Sequence, residues 1–117
     1  MDIEEKLVLL HEDPVLTGAL GIFYAGLGAY DKAIQLGENA VQAYSIEKDA
    51  FYGLMRIEEL AWIYVMVGEY DKALEQLEVL LSKPGPYSAE LLKLDPKWKP
   101  LWDHPEFPQL TEKYTEK

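Results

Sequence analysis

The sequence predicts an all-α protein, an alpha-alpha superhelix of stacked antiparallel helical hairpins that ends in a proline-rich C-terminal capping segment. Apolar residues recur at helical spacing, and no stretch shows the alternation of β-branched residues that is typical of strands. The string GAYDKAIQL at residues 28–36 returns as GEYDKALEQ at residues 68–76, 40 positions later. One copy per helix pair is typical of stacked hairpins, because each hairpin needs a neighbour of similar shape to bury its apolar face.

The chain length of 117 residues suits one domain, 1–117, which we divide into four parts. An N-terminal helix is expected at 1–12, where Ile3, Leu7 and Leu10 have helical spacing. The first repeat unit is predicted at 14–45 and the second at 50–83. The capping segment covers 84–117.

In the first unit, Asp13-Pro14 predicts a helix start, since an aspartate cap followed by proline suits the first helical position. The helix is predicted to run to Leu27. Gly28 then ends it in the left-handed conformation that glycine adopts at low cost. A second helix is predicted from Tyr30 to about Tyr44, and the polar residues 45–49 form a turn.

In the second unit, a helix is predicted from near Asp49 to Val67, closed by Gly68, and another from Tyr70 to about Ser82. Ala33 and Ala73 hold the same place in the two units. We expect both to be buried, because two helix backbones pass close to each other there.

The capping segment begins with PGPYS at 84–88, which ends the fourth helix. Ser88, Asp95-Pro96 and His104-Pro105 each predict a short helix start. Three large apolar residues are predicted to lie over the last helix pair: Trp98, Trp102 and Phe107. An end cap is the favoured interpretation, and a binding element in its own right stays open.

The repeated residues resemble the tetratricopeptide repeat (TPR). In the first unit they are Leu20, Gly21, Tyr24, Leu27, Gly28, Tyr30, Ala33 and Ala40, and in the second Leu60, Ala61, Tyr64, Val67, Gly68, Tyr70, Ala73 and Leu80. The period of the family is 34, so about six residues around 45–50 are additional here. Gly37 stands where the family usually has an aromatic residue, and we expect this to loosen the first unit.

The end of the chain resembles the C-terminal TPR region of large bacterial signalling proteins, namely cyclases, serine/threonine kinases and winged-helix regulators. The pattern DPxWxPL-x-x-x-PxF is carried by Asp95, Pro96, Trp98, Pro100, Leu101, Pro105 and Phe107. That family usually has arginine where this chain has Trp102 and Glu106. The resemblance implies a bacterial, cytoplasmic scaffold that binds other proteins.

Acidic residues outnumber basic ones 21 to 11, giving a net charge of −10. This charge repels nucleic acids and anionic membrane surfaces, so we expect neither as a partner. The absence of cysteine excludes disulfides, thiolate zinc sites and a cysteine nucleophile. We also expect no secretion signal and no membrane span, in keeping with a cytoplasmic location.

No motif of a known catalytic or phosphate-binding site occurs in the chain. His11 and His104 have no ligand set at helical spacing beside them. Glu58 and Glu59 are neighbours on a helix, so their side chains diverge by about 100° and do not converge on one substrate atom. We therefore expect no enzymatic activity, no catalytic residue, no metal site and no cofactor.

In hairpins of the TPR type, the first helix of each pair lines the concave face. The candidate groove residues are Val15, Gly18, Ile22, Ala25, Met55, Glu58, Glu59, Trp62 and Met66. Methionine and tryptophan adapt to irregular partners, and the two glutamates favour a basic side chain. The predicted partner is an apolar helix or extended protein segment that carries Lys or Arg. A clamp for a terminal carboxylate is not expected, because Lys, Arg and Asn are missing from these positions.

Two alternatives stay open. Met55, Trp62 and Met66 are core residues if the N-terminal helix or the 45–50 connection covers them. The chain is also interpretable as a structural end cap or a self-association module that forms a homo-oligomer through its open first helix. Two units are fewer than the three or so that such arrays usually need, and Met1 stands almost directly inside the first expected helix.

Overall fold

The computed structural model describes residues 14–43, 50–83 and 87–115. In these ranges the chain forms helices and no strand, which confirms the predicted all-α class there. The elements are α1 (Pro14–Gly26), α2 (Tyr30–Ala43), α3 (Ala50–Val67), α4 (Tyr70–Ser82), α5 (Ala89–Leu94), a 3₁₀ helix (Pro96–Leu101) and α6 (Glu106–Lys113). The predicted helix at 1–12, the connection at 45–49 and the break at 84–86 lie outside the described residues.

The first helix of each hairpin ends in the same hydrogen-bonded turn. Gly28 has φ +86°, its N–H donates to the Ala25 carbonyl at 3.1 Å, and the N–H of Ala29 donates to the Tyr24 carbonyl at 3.0 Å. This pair of bonds is the Schellman motif. Gly68 also has φ +86°, its N–H donates to the Val65 carbonyl at 3.2 Å, and the N–H of Glu69 donates to the Tyr64 carbonyl at 2.8 Å. The predicted role of both glycines is confirmed.

The helices pack as two stacked pairs. Helix α1 packs against α2, α3 packs against α4, and α3 also lies against both helices of the first pair. Ala33 and Ala73 both have 0 % of their surface exposed, which confirms the prediction that these positions are interior. A larger side chain at either position would have to displace a neighbouring helix.

Gly21 and Gly37 leave the space into which side chains of α3 pack. A Cβ atom on Gly21 would lie 2.8 Å from Ile63 Cδ1 and 3.1 Å from the Ala33 carbonyl oxygen. A Cβ atom on Gly37 would lie 2.8 Å from the same Ile63 atom and 2.9 Å from Leu60 Cδ1. The loosening expected at Gly37 is therefore not found, because Leu60 and Ile63 fill the space that a larger residue would occupy.

Two of the three helix starts predicted after residue 87 have the predicted side-chain caps, whereas α6 begins after Pro105 without a side-chain cap bond. Ser88 Oγ accepts a hydrogen bond from the Leu91 N–H at 3.2 Å, and α5 begins after it. Asp95 Oδ1 accepts from the Lys97 N–H at 3.1 Å, and the 3₁₀ helix begins after it. Serine and aspartate serve here because their oxygens satisfy an N–H at a helix start that lacks a helical partner.

Residues 87–115, called the C-terminal segment below, fold over the second hairpin. The 3₁₀ helix packs against α3, and α6 packs against α4. Trp98 and Phe107 are buried within the same core as the apolar residues of α3 and α4. Trp102 is half-buried, and its indole N–H donates to the Leu92 carbonyl at 3.0 Å. The predicted placement of the large apolar residues over the last pair is thus found.

Candidate protein-binding site

An open, largely apolar groove runs between α3 and α5, and we call it the α3–α5 groove. Its volume is about 460 Å³, within the range of sites that hold small ligands or several side chains. Met55, Leu92 and Trp98 line its apolar part, while Glu58 and Asp95 supply carboxylates at its edge. The groove can therefore accept an apolar side chain next to a basic one.

Helix α5 contributes exposed leucines to this groove. Its six residues include three leucines, and so short a helix cannot bury all three on one face. Leu92 is buried, while Leu91 and Leu94 remain 51 % and 73 % exposed. Their spacing of three residues puts them side by side on the helix surface. Both line the α3–α5 groove. Exposed apolar residues grouped beside a groove are typical of contact surfaces.

Glu58 is held by two groups of the C-terminal segment. The Tyr87 hydroxyl donates to Glu58 Oε1 at 2.9 Å, and the Lys97 ammonium donates to Glu58 Oε2 at 3.1 Å. Burial raises the pKa of Tyr87, and the negative charge of Glu58 and the hydrogen bond to it raise this pKa further. The Tyr87 hydroxyl is therefore a donor at neutral pH.

The Lys97 ammonium sits among aromatic and acidic groups, which we call the cation site. Its Nζ lies 5.0 Å from the centre of the Trp62 ring and 5.7 Å from that of Trp98. Asp95 Oδ2 lies 3.9 Å away, in addition to the closer Glu58. Ring faces and carboxylates both attract a cation, so this site is built for an ammonium or guanidinium group.

Glu59 lies between the two hairpins rather than at the groove. Arg56 is 2 % exposed, and its Nε lies 2.7 Å from Glu59 Oε1. Among the described residues, Arg56 Nε and Nη1 have no hydrogen-bond partner, so the contact is a charge pair rather than a directed bond. Glu59 also fills the space beside Gly18. Burial raises the pKa of the Glu59 carboxyl, and the Arg56 charge opposes that rise.

The predicted groove residues have several different surroundings in the structure. Met55 and Glu58 line the α3–α5 groove. Trp62 is half-buried, packs against the main core and faces Lys97. Ile22 and Met66 are half-buried around the small cluster formed by Ala25, Ala33 and Ile63. Val15 is exposed on α1 and Gly18 is buried beneath Glu59. Met55 and Glu58 thus share a groove with residues of the C-terminal segment, whereas Glu59 and Met66 lie beside Gly18 and Gly26 of α1.

Sequence reasoning missed the residues that the C-terminal segment contributes, namely Tyr87, Leu91, Leu94 and Lys97. One signal was available in AELLKL at 89–94, where three of six residues are leucine. A helix of this length can bury only one stripe, so exposed leucine was to be expected.

A second groove, of about 490 Å³, lies between α4 and α6. Its lining is mainly polar and includes Asp71, Glu75, Glu78 and Glu106. The Lys113 ammonium donates to Glu78 at 2.6 Å, and hydrogen bonds from Lys113 and Tyr114 lower the pKa of Glu78. We consider this groove a solvated, charged surface and not a docking site.

At one end of that groove, ligand atoms of Asp71, His104 and Glu106 lie within 4.8 Å of one another. The His104 Nδ1 atom accepts a hydrogen bond from the Glu106 backbone N–H at 3.1 Å. In the neutral ring the proton is therefore on Nε2, which lies 3.2 Å from Asp71 Oδ1. A metal ligand needs a free lone pair at that nitrogen, so the arrangement favours a hydrogen bond over metal binding.

Comparison with protein-family models, with curated proteins and with solved structures found no match to this chain. Within the described ranges, every helix is too short or too polar to cross a bilayer. The resemblance to tetratricopeptide repeats accordingly rests on the repeated residues themselves.

Proposed function

We propose that the protein is a non-catalytic, TPR-like interaction module that binds an apolar protein segment carrying Lys or Arg. The binding surface is the α3–α5 groove together with the cation site. The parent system is a bacterial cytoplasmic signalling protein, in which the C-terminal segment caps the helical array. This setting follows from the sequence resemblance alone.

One observation carries the proposal: the α3–α5 groove combines exposed leucines with carboxylates at its edge. About half of Leu91 and most of Leu94 still face water in the folded protein, and a partner could bury this remaining apolar surface. Glu58 and Asp95 favour a positive charge beside them, and the net charge of −10 favours a basic partner at longer range.

A displayed library of short peptides, selected on the purified protein, tests this function. We expect the enriched peptides to combine apolar residues with Lys or Arg. The double substitution Leu91→Ser and Leu94→Ser should abolish their binding, because it removes apolar surface that is exposed in the free protein and thus leaves the fold intact.

The matched control is Leu27→Ser, which changes a leucine that is 64 % exposed after α1, far along the chain from the groove. Enriched peptides should bind this variant as they bind the unaltered protein. If the peptides bound equally well to the unaltered protein, the double leucine variant and Leu27→Ser, the groove would be ruled out as the docking site.

Self-association is a second candidate function, and helix α1 favours it. Its 13 residues contain no acidic or basic side chain, although 27 % of the whole chain is charged. Phe23 is 58 % exposed, so this side of α1 is apolar and open. A second copy could approach there without the charge repulsion that a net charge of −10 produces elsewhere.

Sedimentation equilibrium at several protein concentrations tests the second candidate. Self-association predicts a mass that rises with concentration, and Phe23→Glu should restore the monomer mass. A monomer mass at every concentration would reject it, and this result would leave the peptide-binding function unaffected.

A further inference from the structure

The C-terminal segment already places a lysine where a basic partner residue is expected. Lys97 contacts Glu58 and Asp95 through its ammonium and lies against the rings of Trp62 and Trp98. The cation site is therefore filled by the chain itself, while the adjoining α3–α5 groove is open.

Resting on the proposed function, we infer that Lys97 is a resident competitor, which the basic residue of the partner displaces from the cation site. The partner is a protein segment with Lys or Arg beside an apolar side chain. The cation replaces Lys97 between Glu58 and Trp62, and the apolar side chain enters the α3–α5 groove.

The backbone at Lys97 does not depend on its ammonium group. Its N–H is bound to Asp95 Oδ1 at 3.1 Å, and the neighbouring Trp98 and Leu101 are 2 % and 0 % exposed. The segment is thus fixed by a helix cap and by core packing. The ammonium can leave the cation site by rotation of its side chain, without loss of the fold.

The ammonium is also accessible to exchange. The side chains of Lys97 and Glu58 are each 26 % exposed, so water screens their attraction and reaches the pair from outside. Once Lys97 leaves, Glu58 keeps its hydrogen bond from Tyr87. The carboxylate therefore stays oriented toward the site and available to an incoming cation.

Charge complementarity decides which occupant fits. Without the Lys97 ammonium, the cation site consists of two carboxylates and two ring faces, in a chain of net charge −10. An anionic or neutral polar group would meet repulsion or lose hydration there, whereas an ammonium or guanidinium group is attracted by every member of the site.

The experiment measures binding of Nα-acetyl-lysine amide to ¹⁵N-labelled protein by the shift of the Trp62 indole N–H signal. Lys97→Gln removes the competing charge and should strengthen binding of the lysine probe by about tenfold. In the unaltered protein Lys97 occupies the cation site in most molecules, whereas in Lys97→Gln the site is open in all of them. Nα-acetyl-norleucine amide, which lacks the charge, should not bind either protein.

Lys99→Gln is the matched control, since it makes the same change in net charge at an exposed lysine outside the cation site. It should leave the affinity at the level of the unaltered protein. Adding Glu58→Gln to Lys97→Gln should abolish the gain. If Lys97→Gln alters the fold, as seen from the amide spectrum, Lys97→Ala serves as the second variant.

Equal affinities of the Lys97→Gln and Lys99→Gln proteins for the lysine probe would overturn the inference. So would equal binding of the norleucine probe. Failure of the proposed function is distinguishable, because peptide selection would then fail on the unaltered protein while the Lys97→Gln protein still bound the lysine probe.

Discussion

The hydroxyl group of Tyr64 on α3 donates a hydrogen bond of 2.6 Å to the Glu38 carboxylate on α2 and so joins the two hairpins. Tyr24 holds the same place in the first unit, and Lys32 lies 4.8 Å from its ring centre as Lys72 lies 5.9 Å from that of Tyr64. The contact between a lysine and a tyrosine ring thus occurs in both units. The hydrogen bond of the Tyr64 hydroxyl, in contrast, joins one helix pair to the other.

Tyr64→Phe should lower the free energy of unfolding by about 1.5–3 kcal/mol, because it removes a hydrogen bond to a charged acceptor without leaving a cavity. Urea unfolding measures the change. Tyr24→Phe is the control, since the Tyr24 hydroxyl makes no hydrogen bond within the described ranges. Equal effects of the two substitutions would contradict the assigned link.

The contribution of Tyr64 should also depend on pH. Burial raises its pKa, and the hydrogen bond to Glu38 and the nearby carboxylates raise it further. Because the pKa is raised in the folded state, the protonated Tyr64 hydroxyl stabilises the fold fully at pH values below the pKa of unfolded tyrosine, about 10. As the pH rises above that value, this stabilisation is progressively lost. The stability difference between the unaltered protein and Tyr64→Phe should therefore be constant from about pH 7 to 9 and shrink at higher pH. If this stability difference became larger as the pH rose, the pKa of Tyr64 would not be raised in the folded state.

The hairpins could be predicted from the sequence because their determinants are local. A glycine in the left-handed conformation and a small residue at the helix crossing are recognisable without knowledge of the rest of the fold. Glycine recurs at 28 and 68, and alanine recurs at 33 and 73. This repetition predicted that two similar hairpins stack against each other. These predictions needed no information about contacts distant in sequence.

The candidate site could be predicted only in part, because it depends on where the C-terminal segment folds back. Glu58 meets Tyr87 and Lys97 across 29 and 39 residues of chain. No local pattern specifies such contacts, so a groove was predicted on α3 while its second wall was missed. The burial of the Arg56–Glu59 pair was missed for a similar reason, since Glu59 lies against α1 at Gly18.

The glycines of α1 should differ sharply in their tolerance of alanine. A Cβ atom on Gly21 would meet the Ala33 carbonyl oxygen and Ile63, and a backbone atom cannot move aside. On Gly26 the nearest atom is Met66 Cε at 3.9 Å, an ordinary contact. Gly21→Ala should therefore destabilise by about 1–3 kcal/mol, while Gly26→Ala should be neutral or stabilising by up to about 1 kcal/mol. Thermal unfolding compares them, and the reverse order would refute the close packing of α1 against α2 and α3.

The two buried alanines should respond alike to enlargement. Ala33→Leu and Ala73→Leu each force a larger side chain into a position of 0 % exposure, and each should cost about 1–3 kcal/mol by overpacking. Ala19→Leu, at an exposed site on α1, should change stability by less than about 0.5 kcal/mol. Denaturant midpoints measure all three. A tolerated leucine at 33 or at 73 would show that the corresponding helices do not cross there.

The C-terminal segment should unfold together with the second hairpin, because Trp98 belongs to the core that α3 and α4 form. Trp98→Ala removes a side chain that is 2 % exposed and should cost about 3–5 kcal/mol. Trp102→Ala removes a half-buried ring and one hydrogen bond, so its cost should be clearly smaller, about 1–2 kcal/mol.

Urea unfolding followed by circular dichroism and by tryptophan fluorescence measures both costs. The two signals should coincide in the unaltered protein, since a shared core unfolds in one step. A fluorescence change that precedes the loss of helix would show that the segment detaches by itself. Its packing on α3 would then be too weak to hold the second wall of the α3–α5 groove.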